Sequence, residues 1–312
     1  MTTFSIIIPT FNYGHLLGHT LESIVNQCAS LDSNIQIEII VVDDNSSDNT
    51  QDILKNFQNN KQLSFKTISN RTNLGPAKCR NIGINYATAN YVIFLDADDL
   101  MTPLSLQTIY EFIVKHHHPQ VIIANHNNVI FDKQENIKNI TTFTNHLLSP
   151  SNTQRFIDYL FNKIISLTAG SVIFSKDVLV RFSFCENLRL NEDLPLFAHV
   201  LVNYDCKYLN FSTVNIRKHS SSLRNNHHLL NEQANVWDLT NIIFDSTLLP
   251  KKLMKLKEKY LSQRYLSLFR SFYLAREYNQ AKKFYHEAVK RNPYNLFKTN
   301  YLIKYIKCSF LC

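Results

Sequence analysis

Phe94-Leu95-Asp96-Ala97-Asp98-Asp99 sets three carboxylates directly after an apolar run. Tyr91 to Leu95 reads as a buried strand. Carboxylates at its carboxyl end are poorly solvated and repel one another, so they need a cation or hydrogen-bond donors. Asp96 and Asp98 are two apart and point to one side if strand geometry continues. Hard oxygen ligands at the open edge of an α/β sheet suit Mg²⁺ or Mn²⁺ holding a phosphate. The plainer alternative is a charged turn that caps the following helix.

Working outward, Phe4 to Pro9 is a β-rich apolar run ending in Pro9-Thr10-Phe11-Asn12, and Ile35 to Val42 is a second, ending in Asp43-Asp44-Asn45-Ser46-Ser47-Asp48. Between them Leu17, Leu21, Ile24 and Val25 have helical spacing. Ser47 or Asp48 can cap a further helix to about Phe57, and Phe65 to Ile68 reads as a third strand. Strand–helix alternation predicts a mostly parallel sheet, whose ligands bind outside the carboxyl ends of the strands. Thr10-Phe11-Asn12, Asp43-Asp44 and Asp96-Ala97-Asp98-Asp99 would converge there.

Four motifs now stand in register: Ser5-Ile6-Ile7-Ile8-Pro9-Thr10-Phe11-Asn12, Ile40-Val41-Val42-Asp43-Asp44-Asn45-Ser46-Ser47-Asp48, the segment Asn73 to Gly83, and Phe94 to Asp99. In them the chain resembles the family 2 inverting glycosyltransferases. The resemblance covers about residues 1–220 and is firmest before 105. It implies a GT-A-type α/β fold, a Rossmann-like, mostly parallel sheet flanked by helices, with a C-terminal α-helical extension here. The implied halves are 1–105 for the nucleotide-sugar and 106–225 for the acceptor, followed by the extension, 226–312.

What the resemblance implies for the donor side follows residue by residue. Pro9, Thr10, Phe11 and Asn12 lie against the nucleotide. Asp44 contacts the uracil edge and Asp43 supports its loop; the plain alternative for both is helix capping. A carboxylate accepts from uracil N3–H, which adenine does not offer, so a UDP-sugar is the expected donor. Arg80 faces the nucleotide or its supporting carboxylates, or else is simply solvated. Asp96, Ala97 and Asp98 bind the nucleotide-sugar, and Asp98, with Asp96 and Asp99, holds the Mg²⁺ or Mn²⁺ on the diphosphate, where the metal offsets charge on the leaving group.

An inverting transfer also needs a base on the face opposite the leaving group. The resemblance assigns it to Asp193 in Asn191-Glu192-Asp193-Leu194, with Glu192 on the acceptor. The alternative is an acidic first helical turn, favourable with the helix dipole. His219, after the strand-like Tyr208 to Ile216, is a candidate fourth metal ligand, and Arg217 a candidate diphosphate contact. His116-His117-His118 reads instead as the last turn of a helix that Thr102 caps and Pro103 starts.

The whole chain has 312 residues and net charge +8. The segment from Lys251 to Cys312 holds 15 Lys and Arg against three Asp and Glu, +12, which leaves 18 basic and 22 acidic residues elsewhere, −4. This tail reads as helices over Lys251 to Ala275, Tyr278 to Arg291 and Leu296 to Phe310. Tyr265, Leu268, Phe272, Ala281, Tyr285, Ala288 and Pro293 fall at tetratricopeptide-like spacing, although Phe269 replaces that repeat's small residue. Lysines among Tyr, Phe and Leu suit an anionic membrane surface, with Phe269, Phe272, Tyr273 and Leu274 as candidate lipid contacts; the alternative is a solvated basic face on helices packed against the catalytic domain. Nucleic acid is not an expected partner, because no matching motif accompanies the charge.

Six cysteines fit neither a zinc nor a disulfide pattern, and five glycines form no phosphate loop. No apolar run approaches the ~20 residues that span a bilayer, and the chain opens directly on a core strand, so no signal peptide is expected. The expectation is a cytoplasmic enzyme, peripheral on the inner face of the membrane. It would move sugar from a UDP-sugar to a glycan or lipid-linked acceptor of a bacterial surface polysaccharide or lipooligosaccharide. The competing readings are a sugar-phosphate nucleotidyltransferase and a non-catalytic helical-repeat interaction protein.

Overall fold

A computed structural model describes residues 2–28, 31–58, 64–132, 136–188, 190–218 and 229–310. Two compact units divide the chain: Met1–Asn187 with Leu196–Ser220, and Leu188–Pro195 with Ser221–Cys312.

The first unit begins as alternating β1 (Thr2–Thr10), α1 (Gly14–Val25), β2 (Ile35–Asp43), α2 (Thr50–Gln58), β3 (Ser64–Ser69), α3 (Pro76–Tyr86) and β4 (Tyr91–Phe94). There follow β5 (Leu100–Met101), α4 (Ser105–Lys115), β6 (Val121–Phe131), β7 (Ile137–Phe143), α5 (Asn152–Ile157), β8 (Val172–Ser175), α6 (Lys176–Arg181), α7 (Asp193–Asn203), which belongs to this unit from Leu196 onward, and β9 (Cys206–Arg217). The sheet order is β3-β2-β1-β4-β8-β6-β9-β5, with β7 on β6. The first four strands are parallel, whereas β8 runs antiparallel to both β4 and β6. The chain steps outward from β1 to β2 and β3, then returns to place β4 on the other side of β1. This reversal opens a crevice at the carboxyl ends of β1 and β4, where ligands bind in such sheets.

Apolar residues on one sheet face, among them Ile6, Ile8, Ile39, Val41 and Ile93, pack with Leu17, Leu21 and Ile24 of α1 and Leu106, Ile109 and Ile113 of α4. Each fully buried side chain of this size contributes about 1.5–3 kcal/mol. On the opposite face α3 touches the sheet at Gly83, where a Cβ would come 2.3 Å from Ile7 Cγ2.

Several boundaries differ from the sequence reading. The helix expected from Pro103 starts at Ser105, because Leu100 and Met101 pair with Asn215 and Val214 of β9 and the Thr102 N–H donates to Thr213 O. Main-chain bonds from His117 to Val114 and from His118 to Ile113 close that helix. His117 and His118 have φ of 55° and 59°, so the three histidines form the turn after the helix rather than its last turn. Ala169–Ser171 is a 3-10 turn that leads into β8.

The second unit contains α8 (Leu229–Ile243), α9 (Lys251–Met254), α10 (Lys257–Leu274), α11 (Tyr278–Arg291) and α12 (Thr299–Phe310). A short 3-10 turn, Pro293–Phe297, replaces the expected start of the last helix. Tyr265, Leu268, Phe272, Ala281, Tyr285 and Ala288 form the hairpin core of α10 and α11, as their spacing predicts. Phe269 joins them, its ring 5.3 Å from Tyr285 and 5.9 Å from Tyr301. Phe269 and Phe272 are buried in this unit's own core and are unavailable as lipid contacts, which corrects the expectation for those two, whereas Tyr273 is half-buried and Leu274 exposed.

Candidate active site

Tight turns follow β1 and β2, and each holds an asparagine in left-handed backbone, Asn12 at φ 56° and Asn45 at φ 67°. Asparagine tolerates that region better than branched residues do. The two turns are laced together. Asn12 N–H donates to Ser46 Oγ at 2.9 Å, Ser47 N–H to Asn12 Oδ1 at 2.8 Å, and Gly14 N–H to Asp48 Oδ2 at 2.9 Å. Asp48 also accepts from Thr50 N–H at the start of α2, so the cap falls to Asp48 and leaves Asp43 and Asp44 for other work. Phe11 is exposed at the mouth, whereas Thr10 is buried and its hydroxyl lacks a partner among the described residues. Pro9 is half-buried beside it.

Asp43 accepts from Ser46 N–H at 3.2 Å and from the Gln51 side-chain amide. Asp44 is buried and accepts from Asn70 Nδ2, Leu74 N–H and Gly75 N–H, each at 2.8 Å. Three of its roughly four lone-pair directions thus hold the 70–75 segment. Gly75 lies at φ 88°, open to glycine alone without strain, and turns the chain so that Pro76 can start α3. That helix carries Arg80 inward. Its guanidinium donates to Asp96 Oδ1 at 2.7 Å and lies 5.1 Å from the Phe184 ring centroid. A solvated Arg80 is thereby excluded.

Asp96 to Asp99 make a turn closed by Asp99 N–H on Asp96 O at 3.0 Å, and Thr20 pins it by donating to Ala97 O at 2.8 Å. Asp99 is buried and accepts from Arg217 N–H at 3.0 Å. Burial pushes its carboxyl well above the usual range, and Asp98 and Asp96 push it further, against the Arg217 N–H and Lys218. Burial also raises the Tyr13 phenol, followed by the fields of Asp98, Asp96 and Asp99, so the phenol and the three carboxylates share one neighbourhood. Among the described residues no group of three His, Cys, Asp or Glu is arranged to hold a metal alone. Mg²⁺ or Mn²⁺ nevertheless fits the chemistry here. Such ions take one or two carboxylates and complete their shell with substrate phosphates and water, and three carboxylates meet at this turn close enough that Asp98 and Asp96 raise the pKa of Asp99.

Glu192 and Asp193 belong to the second unit, and Asp193 is the first residue of α7. Asn191 precedes them in left-handed backbone at φ 57°, its carbonyl accepting from Leu194 N–H at 3.2 Å. His219 lies outside the described residues. Arg217 lays its guanidinium 4.2 Å from the Phe131 centroid, and its main-chain N–H meets the acidic turn at Asp99. Sequence reasoning passed over Tyr13, Asn70 and Lys218. Asn70 follows β3 as Asn12 and Asp43 follow or end their strands, a signal that was readable; nothing local marks Tyr13 or Lys218.

The family model described as "Glycosyl transferase family 2" matches residues 5–182. The chain is 34% identical over 122 residues to the minor teichoic acid biosynthesis protein GgaA of Bacillus subtilis, covering 38% of this chain and 27% of that one. To the poly(ribitol-phosphate) beta-N-acetylglucosaminyltransferase TarS of Staphylococcus aureus it is 33% identical over 124 residues, 39% of this chain and 21% of TarS. These matches thus span well under half of the length of those relatives. In fold, TarS 1-349 in complex with UDP-GlcNAc aligns with a TM-score of 0.68 at 20% identity, covering 99% of this chain and 89% of that one. The mannosyltransferase PcManGT of Pyrobaculum calidifontis, in complex with GDP-Man and Mn²⁺, aligns with a TM-score of 0.53 at 15% identity, covering 97% and 85%.

Proposed function

Because the chain belongs to glycosyl transferase family 2 and is a glycosyltransferase, we propose that it moves a sugar, with inversion, from a UDP-sugar to a glycan or lipid-linked acceptor in synthesis of a bacterial surface polymer. One observation carries this reading: the laced turns of β1 and β2, the buried Asp44 and the acidic turn after β4 all gather at the crevice where the strand order reverses. Uracil N3–H is assigned to Asp44, whose carboxylate already holds Asn70 Nδ2, Leu74 N–H and Gly75 N–H and has the Cys79 thiol within hydrogen-bond reach, so the base would displace or share the thiol's place. Phe11 offers a ring face to the base, and Asn12 and Asp43 hold the loop beside it. Arg80 fixes Asp96 and supplies positive charge under the diphosphate.

Mg²⁺ or Mn²⁺, held by Asp98 with Asp96 and with His219 as a candidate further ligand, would offset charge on the departing diphosphate. The names of GgaA and TarS support a surface-glycan role, the UDP-GlcNAc complex of TarS supports a UDP-sugar, and the Mn²⁺ complex of PcManGT supports the metal. Asp193 takes the proton of the acceptor hydroxyl as its oxygen attacks the anomeric carbon, and Glu192 holds the acceptor. The protein acts as a peripheral one on the inner face of the cytoplasmic membrane. No helix among the described residues is long and apolar enough to cross a membrane, and the +12 tail supports attachment by charge.

The test is UDP release measured over a panel of UDP-sugars, with Mg²⁺, with Mn²⁺ and with chelator. One donor giving metal-dependent release is expected. Release from a GDP- or CDP-sugar alone would overturn the UDP assignment, and undiminished release in chelator would overturn the metal.

A further inference from the structure

In the second unit the turn Pro293–Phe297 is clamped from within. Asn295 is buried and donates through Nδ2 to Ser262 Oγ at 2.7 Å and to Ala288 O at 3.1 Å, the carbonyl that also accepts from Ser262 Oγ at 2.6 Å. Ala288 lies in the last turn of α11, so Asn295 caps that helix end. With Asn295 fixed inward, its neighbours are fixed outward: Tyr294 is 78% exposed and Phe297 80%. The next helix continues the pattern. Cys308 of α12 is buried against α10 and α11, while Ile303 and Ile306 stand 52% and 46% exposed. These two residues are three apart and share a face, with Lys307 beside them.

Aromatic and branched side chains held out in water by a buried clamp cost free energy unless something covers them. The charge around them says what. From Ala288 to Cys312 there are five Lys and Arg and no Asp or Glu. Lys298 and Lys307 are exposed beside the apolar residues. Exposed apolar side chains in a segment that carries lysines and no acidic residue complement a surface that is apolar beneath and anionic at its face.

We propose that the turn Pro293–Phe297 and the outer face of α12 are where this protein seats on an anionic lipid bilayer. Tyr294, Phe297, Ile303 and Ile306 enter the headgroup boundary, and Lys298 and Lys307 meet lipid phosphates. This rests on the membrane attachment proposed above and names its contact surface, in place of the buried α10 aromatics.

The experiment is co-sedimentation of the full chain with phosphatidylcholine vesicles containing or lacking phosphatidylglycerol, at low and high salt. Wild type should prefer the anionic vesicles and lose part of that binding in high salt, because exposed charges are screened over ~8–10 Å. Lys298→Gln with Lys307→Gln should weaken anionic binding about 25-fold, about fivefold for each lysine. Phe297→Ser with Tyr294→Ser should weaken it about tenfold at both salt concentrations. All four positions are exposed, so circular dichroism and donor hydrolysis should be unchanged. Full wild-type binding in both double variants overturns this surface while leaving attachment standing. Failure of wild type to bind either vesicle overturns both. A dimer in solution that Phe297→Ser with Tyr294→Ser converts to monomer, without loss of vesicle binding, assigns these side chains to a second copy and also overturns the proposal.

Discussion

Glu38 and Asp99 are equally buried, 7% exposed each, yet the fold pushes their carboxyls in opposite directions. Glu38 lies in β2, where burial raises its pKa but the Ser5 hydroxyl, the Thr88 N–H, Lys66 and the Thr88 hydroxyl together bring it below the ordinary value. Their distances are 2.5, 2.5, 3.2 and 3.0 Å, and Ala89 N–H adds a bond at 3.1 Å. Asp99, at the carboxyl end of the sheet, has burial and two neighbouring carboxylates against it, opposed by one main-chain N–H and by Lys218. The first carboxylate ties strands together. The second belongs to a cluster of three carboxylates, two of which raise its pKa although Arg80 pairs with one of them, and a carboxylate held against its neighbours in this way marks a candidate site better than burial does.

The largest effects should come from carboxylates assigned to the ligand. Asp193→Asn is nearly isosteric but accepts no proton at neutral pH. Transfer to acceptor should fall by up to about 10⁴-fold, within the usual range of about 10²–10⁴. Donor affinity should hold, since the base acts on the acceptor. Transfer at the wild-type rate would move the role to another group, Glu192 first. Asp98→Asn should cost several kcal/mol in the transition state, about 10³-fold in rate, with an unchanged urea midpoint. If Asp98→Asn unfolds the protein instead, Asp98 is of the Glu38 kind and the contrast fails.

Glu38→Gln is the converse. It removes charge from a site built of donors, so stability at neutral pH should drop by about 2 kcal/mol while donor hydrolysis per folded molecule stays the same. The pH dependence has a definite sign. A folded pKa below the unfolded value, near 4.5 for a free glutamate, gives stability that is present above that value and lost as pH falls through the folded one. Urea midpoints between pH 6 and about pH 3 should therefore fall less steeply in Glu38→Gln than in wild type. Parallel slopes would mean that Glu38 does not drive the acid limb.

How much of this was legible beforehand follows the range of the forces involved. Strands β1, β2 and β4 announced themselves through apolar runs closed by turn residues, and Asp44, Arg80 and Asp96 to Asp99 through local motifs. The Arg80–Asp96 pair bridges 16 residues but was half-visible because both lie in motifs. Glu38 reads as an interruption in a strand, and its donors Ser5, Thr88 and Ala89 come from other segments. The antiparallel insertion of β8 between β4 and β6 and the two-residue β5 are tertiary choices without a periodic signal. Pairing of β5 with β9 moved the start of α4, and that pairing spans more than 100 residues. In the tail, spacing revealed which side of α10 meets α11, but the outward face of α12 depends on Asn295, whose clamp has no sequence signature.

The smallest expected effect is the sharpest on the contrast itself. Asp99→Asn keeps an acceptor for Arg217 N–H and removes the charge that burial, Asp98 and Asp96 disfavour. Because the folded pKa of Asp99 is raised, its native state holds a proton that the unfolded chain releases. The stability this provides is complete below the unfolded value, near 3.8, and is lost as pH rises through the folded one. Asparagine has no such loss. In chelated protein, Asp99→Asn should therefore match wild type near pH 4 and exceed it by about 1 kcal/mol at pH 8, where wild type must keep a buried charge ionised. Urea unfolding at the two pH values measures this. A variant less stable than wild type at pH 8 would mean that the Arg217 N–H and Lys218 outweigh the two carboxylates, and Asp99 would then stand with Glu38 as a strand tie.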